Sequence, residues 1–419
     1  MFFLGLLILL FLTIIRPQDF MPFIKGERLV FGVMSTMVIA WILSREKKKL
    51  FYVIQDKFFI LFLVAVLIST IYAKWLQYSF NTLFWIFKFG VVYYFCINVI
   101  NNEIKLKIVS WVLVILLSIV GVFGILQYYN YDITSSGMTW SLSKGVWQIK
   151  GANIFDNPND LAYSIVLVVS FASGLFVGGK SIIKKFFGIF LLWISAYCIF
   201  LTKSRGGIVA LVSCLLFWLY FWIKSGRLRH FLIIFIIFGI VLVIAIQAKG
   251  YKEDASSMGR AEAWAAGLSM LRMNPLTGVG WQQFREHYKF DSHSSYVKAA
   301  AELGVFGLYA FLGIIYFSML SLYKISVKNT CKDLRIYYSG FGGYIGSYLL
   351  GSMFSSRTYD ALFYLCIAMV SILVRIANEE SKLNGFEIVD FGMKLWNWKV
   401  FAITILVIFS LKIALQIIF

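Results

Sequence analysis

Charge is scarce in this 419-residue chain: 14% of its residues are Asp, Glu, Lys or Arg, against about 25% in an ordinary soluble domain. With a hydrophobic share of 60%, that excludes a soluble globular protein. Proline (four), cysteine (five) and histidine (three) are sparse as well. So few prolines leave no Pro-rich linker, and neither a repeat nor a low-complexity tract divides the chain. Cys96, Cys198, Cys214 and Cys366 lie within apolar runs and Cys331 in a basic loop, a distribution that predicts neither a disulfide framework nor a zinc site. Polar and apolar residues do not alternate in runs such as Phe58 to Ala73 or Phe231 to Gln247, which excludes a β-barrel.

What the chain does have is long apolar runs. They occur at 2–15, 29–44, 58–73, 82–100, 108–128, 161–178, 186–202, 206–223, 231–247, 300–323, 336–353, 361–376 and 400–419, most of them long enough to cross a hydrocarbon core of about 30 Å. The expectation is an all-α, polytopic integral membrane protein of about 12–13 spans, organised as one domain over 1–419. The first run lacks a basic leader and a small-residue cleavage site and stops at Arg16-Pro17, so it reads as a retained span rather than a signal peptide.

The formal net charge of +19 reflects topology, because Lys and Arg sit between the apolar runs and form no continuous stripe with interleaved aromatics; no nucleic-acid partner is expected. With a cytoplasmic N-terminus, the loops carrying Arg45 to Lys49, Lys105 and Lys107, Lys184-Lys185, Arg227 and Arg229, and Lys324 to Arg335 all fall inside, as the positive-inside rule requires. The protein is therefore expected in a cytoplasmic membrane with its chemistry on the outer face. One outer segment departs from the rule: the loop 248–299 holds about seven Lys or Arg.

Within that loop, Met258-Gly259-Arg260 opens an expected helix with Trp264, Leu268 and Leu271 on one face and Asn274-Pro275 at its end. Its apolar face reads as lying on the membrane. Farther on, Asp291 or Ser292 can cap a helix whose first turn would include His293. The positive end of a helix dipole disfavours an imidazolium, so His293 would be neutral and able to accept a proton. His230 follows Arg227-Leu228-Arg229 on the inner side and His287 lies in an uncapped polar stretch, which leaves His293 the best placed of the three.

A second element is the outer turn Thr202-Lys203-Ser204-Arg205-Gly206-Gly207, squeezed between two apolar runs. A charge at membrane depth is costly unless paired or used, and snorkelling to the headgroups accounts for Lys203 more readily than for Arg205. Two guanidinium forks, Arg205 and Arg260, can bind a diphosphate bidentately and stay charged at any physiological pH. Arg357, in the turn Ser355-Ser356-Arg357, is a further candidate contact. Asp156-Asn157-Pro158-Asn159-Asp160 reads either as a divalent-metal site or, preferably, as the cap of the helix that follows. Trp140, Trp147 and Trp281 could stack on sugars or anchor at the interface.

Ser204-Arg205-Gly206 at a span end, Gly259-Arg260 with Trp264, Asn274-Pro275-Leu276, Gly278-Val279-Gly280, His293 and Glu302-Leu303-Gly304 together resemble the O-antigen ligase and polymerase superfamily of bacterial lipid-linked glycan transferases. The resemblance covers roughly Thr202 to Leu308. It implies an inverting, metal-independent glycosyltransferase of the GT-C type, without cofactor, that moves a glycan from undecaprenyl diphosphate to a hydroxyl of lipid A-core, a protein or another glycan. By carry-over, Arg205 and Arg260 would hold the diphosphate and His293 would activate or position the acceptor. Many members have Asn after the histidine where this chain has Ser294. With Arg16-Pro17-Gln18 and the Asp156 to Asp160 segment, that is similar to a subgroup proposed to glycosylate proteins or export polysaccharide. A polymerase of the same superfamily is the main alternative. A lipid-linked oligosaccharide flippase would need internal repeats and polar residues near the midplane, and a non-catalytic scaffold would leave the basic loop without a purpose.

Overall fold

The computed structural model describes residues 2–21, 28–44, 48–141, 145–152, 155, 157–236, 239, 255–328, 334–383 and 394–418. Helices run in the order α1 (Phe2–Ile14), α2 (Arg28–Leu43), α3 (Ile54–Ile71), α4 (Leu76–Val99), α5 (Glu103–Tyr128), α6 (Pro158–Gly178), α7 (Ile182–Leu201) and α8 (Arg205–Trp222). Residues 226–236 form α9. Then come α10 (Ala255–Met273), α11 (Phe284–His287), α12 (Ser295–Lys328), α13 (Arg335–Gly351), α14 (Ala361–Leu383) and α15 (Trp398–Ile418). Between α5 and α6 a hairpin pairs β1 (Thr139–Ser141) antiparallel with β2 (Val146–Gln148).

Several helices start where a capping side chain precedes an apolar run: Asn102, Asn157, Ser181 and Ser204 each accept from backbone N–H groups of the first turn. Among the described residues nine helices are long and apolar enough to cross a membrane, namely α3 to α8, α12, α14 and α15, while α1 and α2 are shorter apolar helices. The chain is a polytopic all-α membrane protein. The ninth expected span lies mostly outside the described residues, as do Asp156, Cys331 and the first part of the 248–299 loop.

Burial divides the helices into an inner and an outer set. Most of α6, α12 and α14 is buried, whereas α7 and α15 expose most of their surface. The buried helix α13 carries Tyr, Ser and Gly in place of aliphatic residues. Its small residues admit large neighbours, Phe221 against Gly342 and Phe217 against Gly346, the close approach that drives helix association where lipid removes the hydrophobic contrast. Cys96, Cys198, Cys214 and Cys366 are buried free thiols.

On the face opposite the long loop, basic side chains close helix ends. Lys48 Nζ donates to the carbonyls of Ile42 and Ser44 at 2.7 and 2.8 Å, Arg229 to those of Ile223 and Ser326 at 2.7 and 3.3 Å, and Arg375 to those of Ile97 and Ile100. A helix C-terminus concentrates negative partial charge and unpaired carbonyls, and a cation answers both.

The feature that positions the loop is a break in α12 at Gly304, where φ is 68° and ψ −169°. The break frees backbone groups, and residues 275–280 take them up. Val279 N donates to Ala301 O at 2.9 Å, Gly280 N to Glu302 O at 3.2 Å, and Val305 N to Pro275 O at 2.8 Å. Gly278 (φ 72°) lies so close that a Cβ there would collide with the Glu302 carbonyl. The glycine turn and the Glu302-Leu303-Gly304 motif are two halves of one backbone lock.

Candidate functional site

His293 stands two residues before α12 rather than in its first turn, with φ 49° in the left-handed region. The expected position is corrected by one local reason: residues 291–295 turn back to fasten on the loop between α13 and α14. Ser295 N donates to Ser352 O at 2.8 Å, Ser295 Oγ to Ser355 O at 2.8 Å, and Arg357 N to Ser295 Oγ at 2.7 Å. Thr358 Oγ1 donates to Ser295 O at 2.8 Å. Trp264 of α10 adds a bond from Nε1 to Ser292 O at 3.1 Å. A non-glycine residue held at positive φ costs about 1–3 kcal/mol, a conformation that persists only when its surroundings impose it. Here α10, through Trp264, and the α13–α14 loop, through its bonds to Ser295, impose it.

His293 as a residue has surface access while its imidazole is largely surrounded by protein, and the ring nitrogens have no hydrogen-bond partner among the described residues. The other two histidines differ: the Nδ1 of His230 lies 2.7 Å from Gly226 O, and that of His287 lies 3.0 Å from Gln283 O. Desolvation and then the Arg260 guanidinium hold the pKa of His293 below its ordinary 6.5, with Arg285 and Lys298 acting in the same direction and Asp291 against them. The ring is therefore neutral at pH 7.

Arg260 lies beyond the first turn of α10, because that helix already includes Ala255 and does not open at Met258. Its apolar face also departs from expectation. Ala261, Ala263, Trp264, Leu268 and Leu271 are buried, and Gly267 allows Val297 of α12 to approach, so the stripe covers protein rather than lipid. Arg260 is half-buried and has no carboxylate partner among the described residues. It acts electrostatically on His293 and on Tyr163 of α6.

Tyr163 is the meeting point. Its hydroxyl donates to Gly351 O at 3.2 Å, the Arg357 guanidinium lies 5.1 Å from its ring centre, and a Cβ on Gly206 would strike its Oη. The preceding residue, Arg205, is exposed at the first position of α8. The turn that carries it is held by Ser204, which donates to Asn159 Oδ1 and accepts from Gly207 N, and by Gln148 Nε2, which reaches Thr202 O at 2.7 Å. Lys203 Nζ stacks 4.0 Å over Phe200.

Arg357 is brought to the same region but is buried, ion-paired with Asp360 and 3.4 Å from Ser164 Oγ. Its charged state is reinforced, against burial, by Asp360. Asn157 caps α6 through Asn159 N and Asp160 N, and its Nδ2 donates to Asp160 Oδ2 at 2.7 Å. Among the described residues no three His, Cys, Asp or Glu side chains gather as metal ligands. Trp281 neither faces sugar nor lies at an interface: it is buried, donates to Thr82 Oγ1 at 2.8 Å and packs against Tyr359. Trp140 and Trp147 pair across the hairpin and remain exposed.

Sequence reasoning missed the polar network beneath His293. Asp291 Oδ2 meets Lys298 Nζ at 3.1 Å, and Asp291 Oδ1 accepts from Ser292 N at 2.7 Å and from Ser356 Oγ at 3.1 Å. Glu302 accepts from Tyr359 Oη at 2.6 Å and from Phe284 N at 3.2 Å. Burial pushes the Asp291 carboxyl up, but Lys298 and the backbone outweigh it and hold the group below the usual carboxylate range. The available signal was the i, i+4 pair Lys298 and Glu302 inside an otherwise apolar run.

No curated protein matches the chain. Residues 190–312 match the family model described as O-antigen ligase, a span from α7 to the middle of α12 that contains Arg205, Arg260, His293 and the Gly304 break. It is over this segment that the chain is similar to the O-antigen ligase family.

Proposed function

We propose that the protein transfers a glycan from undecaprenyl diphosphate to an acceptor hydroxyl at the outer face of the cytoplasmic membrane, with inversion and without a metal. The observation that carries the reading is the position of Arg260, a half-buried cation lacking a carboxylate partner among the described residues, which acts on both His293 and Tyr163. Arg205, one residue before the glycine that touches Tyr163, supplies the second fork.

In the proposed step the acceptor oxygen attacks C1 of the first sugar, the C1–O bond to the diphosphate breaks, and the hydroxyl proton passes to the neutral ring of His293. Undecaprenyl diphosphate leaves with its new charge bound by Arg205 and Arg260. A single displacement inverts the anomeric centre. Fixed cations at the leaving group act in a preorganised site, and a positioned base contributes about 10²- to 10⁴-fold. Arg357, engaged with Asp360, supports the reading as a second-rank cation that orders Tyr163 behind the diphosphate. The acceptor is a hydroxyl of lipid A-core, a protein or a second glycan.

The test is a reconstituted assay with undecaprenyl diphosphate-linked glycan in EDTA, following release of undecaprenyl diphosphate with a panel of acceptors. Acceptor-dependent release that disappears in His293→Ala is the expected result, and the productive acceptor separates ligase from polymerase. Donor movement across the bilayer with no release would overturn the transferase in favour of a flippase.

A further inference from the structure

A recess lies at the loop-facing end of α4, between that helix and α11. It has a volume of about 520 Å³, is wide open to solvent, and is lined by Lys74, Trp75, Gln77, Tyr78, Asn81 and Glu286, with Leu76 at its edge. That volume is within the range of small-molecule sites, about 300–1,000 Å³. Its walls are fixed from behind. Trp75 N donates to Gln283 Oε1 at 3.1 Å, Gln283 Nε2 to Ser79 Oγ at 2.8 Å, and Ser79 Oγ to Trp281 O at 2.6 Å. Glu286 stands on α11, whose first N–H is bonded to Glu302. The recess is thus tied, through Glu302, to the backbone lock between the glycine turn and α12.

Its lining has a definite chemistry. Trp75 and Tyr78 are 54% and 51% exposed and offer two aromatic rings. The side chains of Lys74, Gln77, Asn81 and Glu286 make no hydrogen bond or ion pair among the described residues, so amide, ammonium and carboxylate groups are all open to a ligand. One cation and one anion cancel, unlike the arginine pair around Tyr163. An anionic ligand therefore has no advantage here, whereas a neutral, hydroxyl-rich ligand with an apolar face matches both the rings and the amides.

We propose that this recess is a carbohydrate subsite, which holds neutral sugar residues through Trp75 and Tyr78 on their C–H faces and through Gln77 and Asn81 on their hydroxyls. The inference rests on the proposed glycan transfer and adds a place for sugar away from the diphosphate. The sugars belong either to the distal part of the donor glycan or to an acceptor glycan; the chemistry is the same.

The test uses the purified full chain in nanodiscs and, as probe, the free oligosaccharide released by mild acid from the lipid-linked donor. Binding is read by saturation-transfer NMR. Trp75→Ala and Asn81→Ala should weaken it roughly tenfold, about 1.4 kcal/mol, Trp75→Phe should restore part of the loss, and Arg205→Ala should bind as wild type does. Equal binding by wild type and both alanine variants, or no binding by wild type, overturns the subsite, and the exposed rings would then serve only as interfacial anchors. In the release assay, a raised KM for the donor or for the acceptor identifies which glycan is held, and an unchanged KM for both also overturns the subsite. Because binding of free oligosaccharide needs no turnover, a failure of the transferase reading would show as absent release and leave the binding comparison to decide the recess.

Discussion

Lys298 Nζ lies 3.1 Å from Asp291 Oδ2, joining the first turn of α12 to the residue two places before His293, with both side chains largely buried. A buried pair contributes little beyond a well-packed apolar alternative, but removing one partner strands the other charge at about 3–5 kcal/mol. Lys298→Met should therefore lower the thermal midpoint sharply, and the double variant Asp291→Asn, Lys298→Met should recover part of it. A double variant as unstable as the sum of the single ones would show that the two groups act independently.

The same pair enters the pH dependence. His293 is faced by Arg260 from α10, Arg285 from α11, Lys298 from α12 and Asp291 in its own turn. Its pKa is lowered, so the neutral base persists on acidification to below pH 6.5, and the acid limb of kcat/KM should fall in that range. Arg260→Gln removes a group that lowers the pKa and should move the limb to higher pH. Asp291→Asn removes a group that raises it and should move the limb lower. Parallel movement of the two profiles would count against His293 as the titrating base.

For His293 itself, replacement by Ala should reduce transfer by about 10²- to 10⁴-fold, with thermal midpoint and donor binding close to wild type, since the ring has no hydrogen-bond partner among the described residues. Full activity of the variant, measured as undecaprenyl diphosphate release, would remove the histidine from the mechanism.

Arg205→Lys and Arg260→Lys preserve charge but lose the planar fork, and each should reduce kcat/KM by about 10- to 100-fold. Both changes are made at positions with surface access, so thermal midpoints should stay near wild type. Activity equal to wild type in both would mean that simple charge suffices at the diphosphate.

Gly278→Ala and Gly304→Ala test the lock rather than the chemistry. Each adds a Cβ at positive φ directly against backbone, Gly278 at Glu302 and Gly304 at Leu276. Neither neighbour can swing aside as a flexible side chain could. Destabilisation on the order of 1–3 kcal/mol or more is expected, read as a lower thermal midpoint and poor recovery of folded protein.

Long apolar runs made the helical membrane fold legible, because the span-forming signal is compositional and needs no partner. The same reasoning placed Arg205, Arg260 and His293 on a common face. What it could not see was tertiary. The stripe of Trp264, Leu268 and Leu271 reads the same whether it meets lipid or the side of α12, and only Gly267 against Val297 reveals which. Trp281 reads in sequence as an interfacial or sugar-stacking aromatic, whereas its N–H donates to Thr82, 199 residues away in sequence. Asp291 or Ser292 can cap a helix and so predicts one that includes His293, yet the Ser295 bonds to residues 352 and 355 draw the turn out of helical geometry.

The interval between the two fastenings of α12 acts as a ruler. Ser295 is fixed to the α13–α14 loop at one end, and the carbonyls of Ala301 and Glu302 are fixed to the glycine turn at the other. An α-helix rotates about 100° and advances about 1.5 Å per residue. Inserting or deleting a single residue between Ser295 and Ala301 would swing His293 about a quarter of the way around the helix axis, away from Arg260, however faithfully every side chain was kept. Phase along this stretch is thus as much a part of the site as the residues it presents.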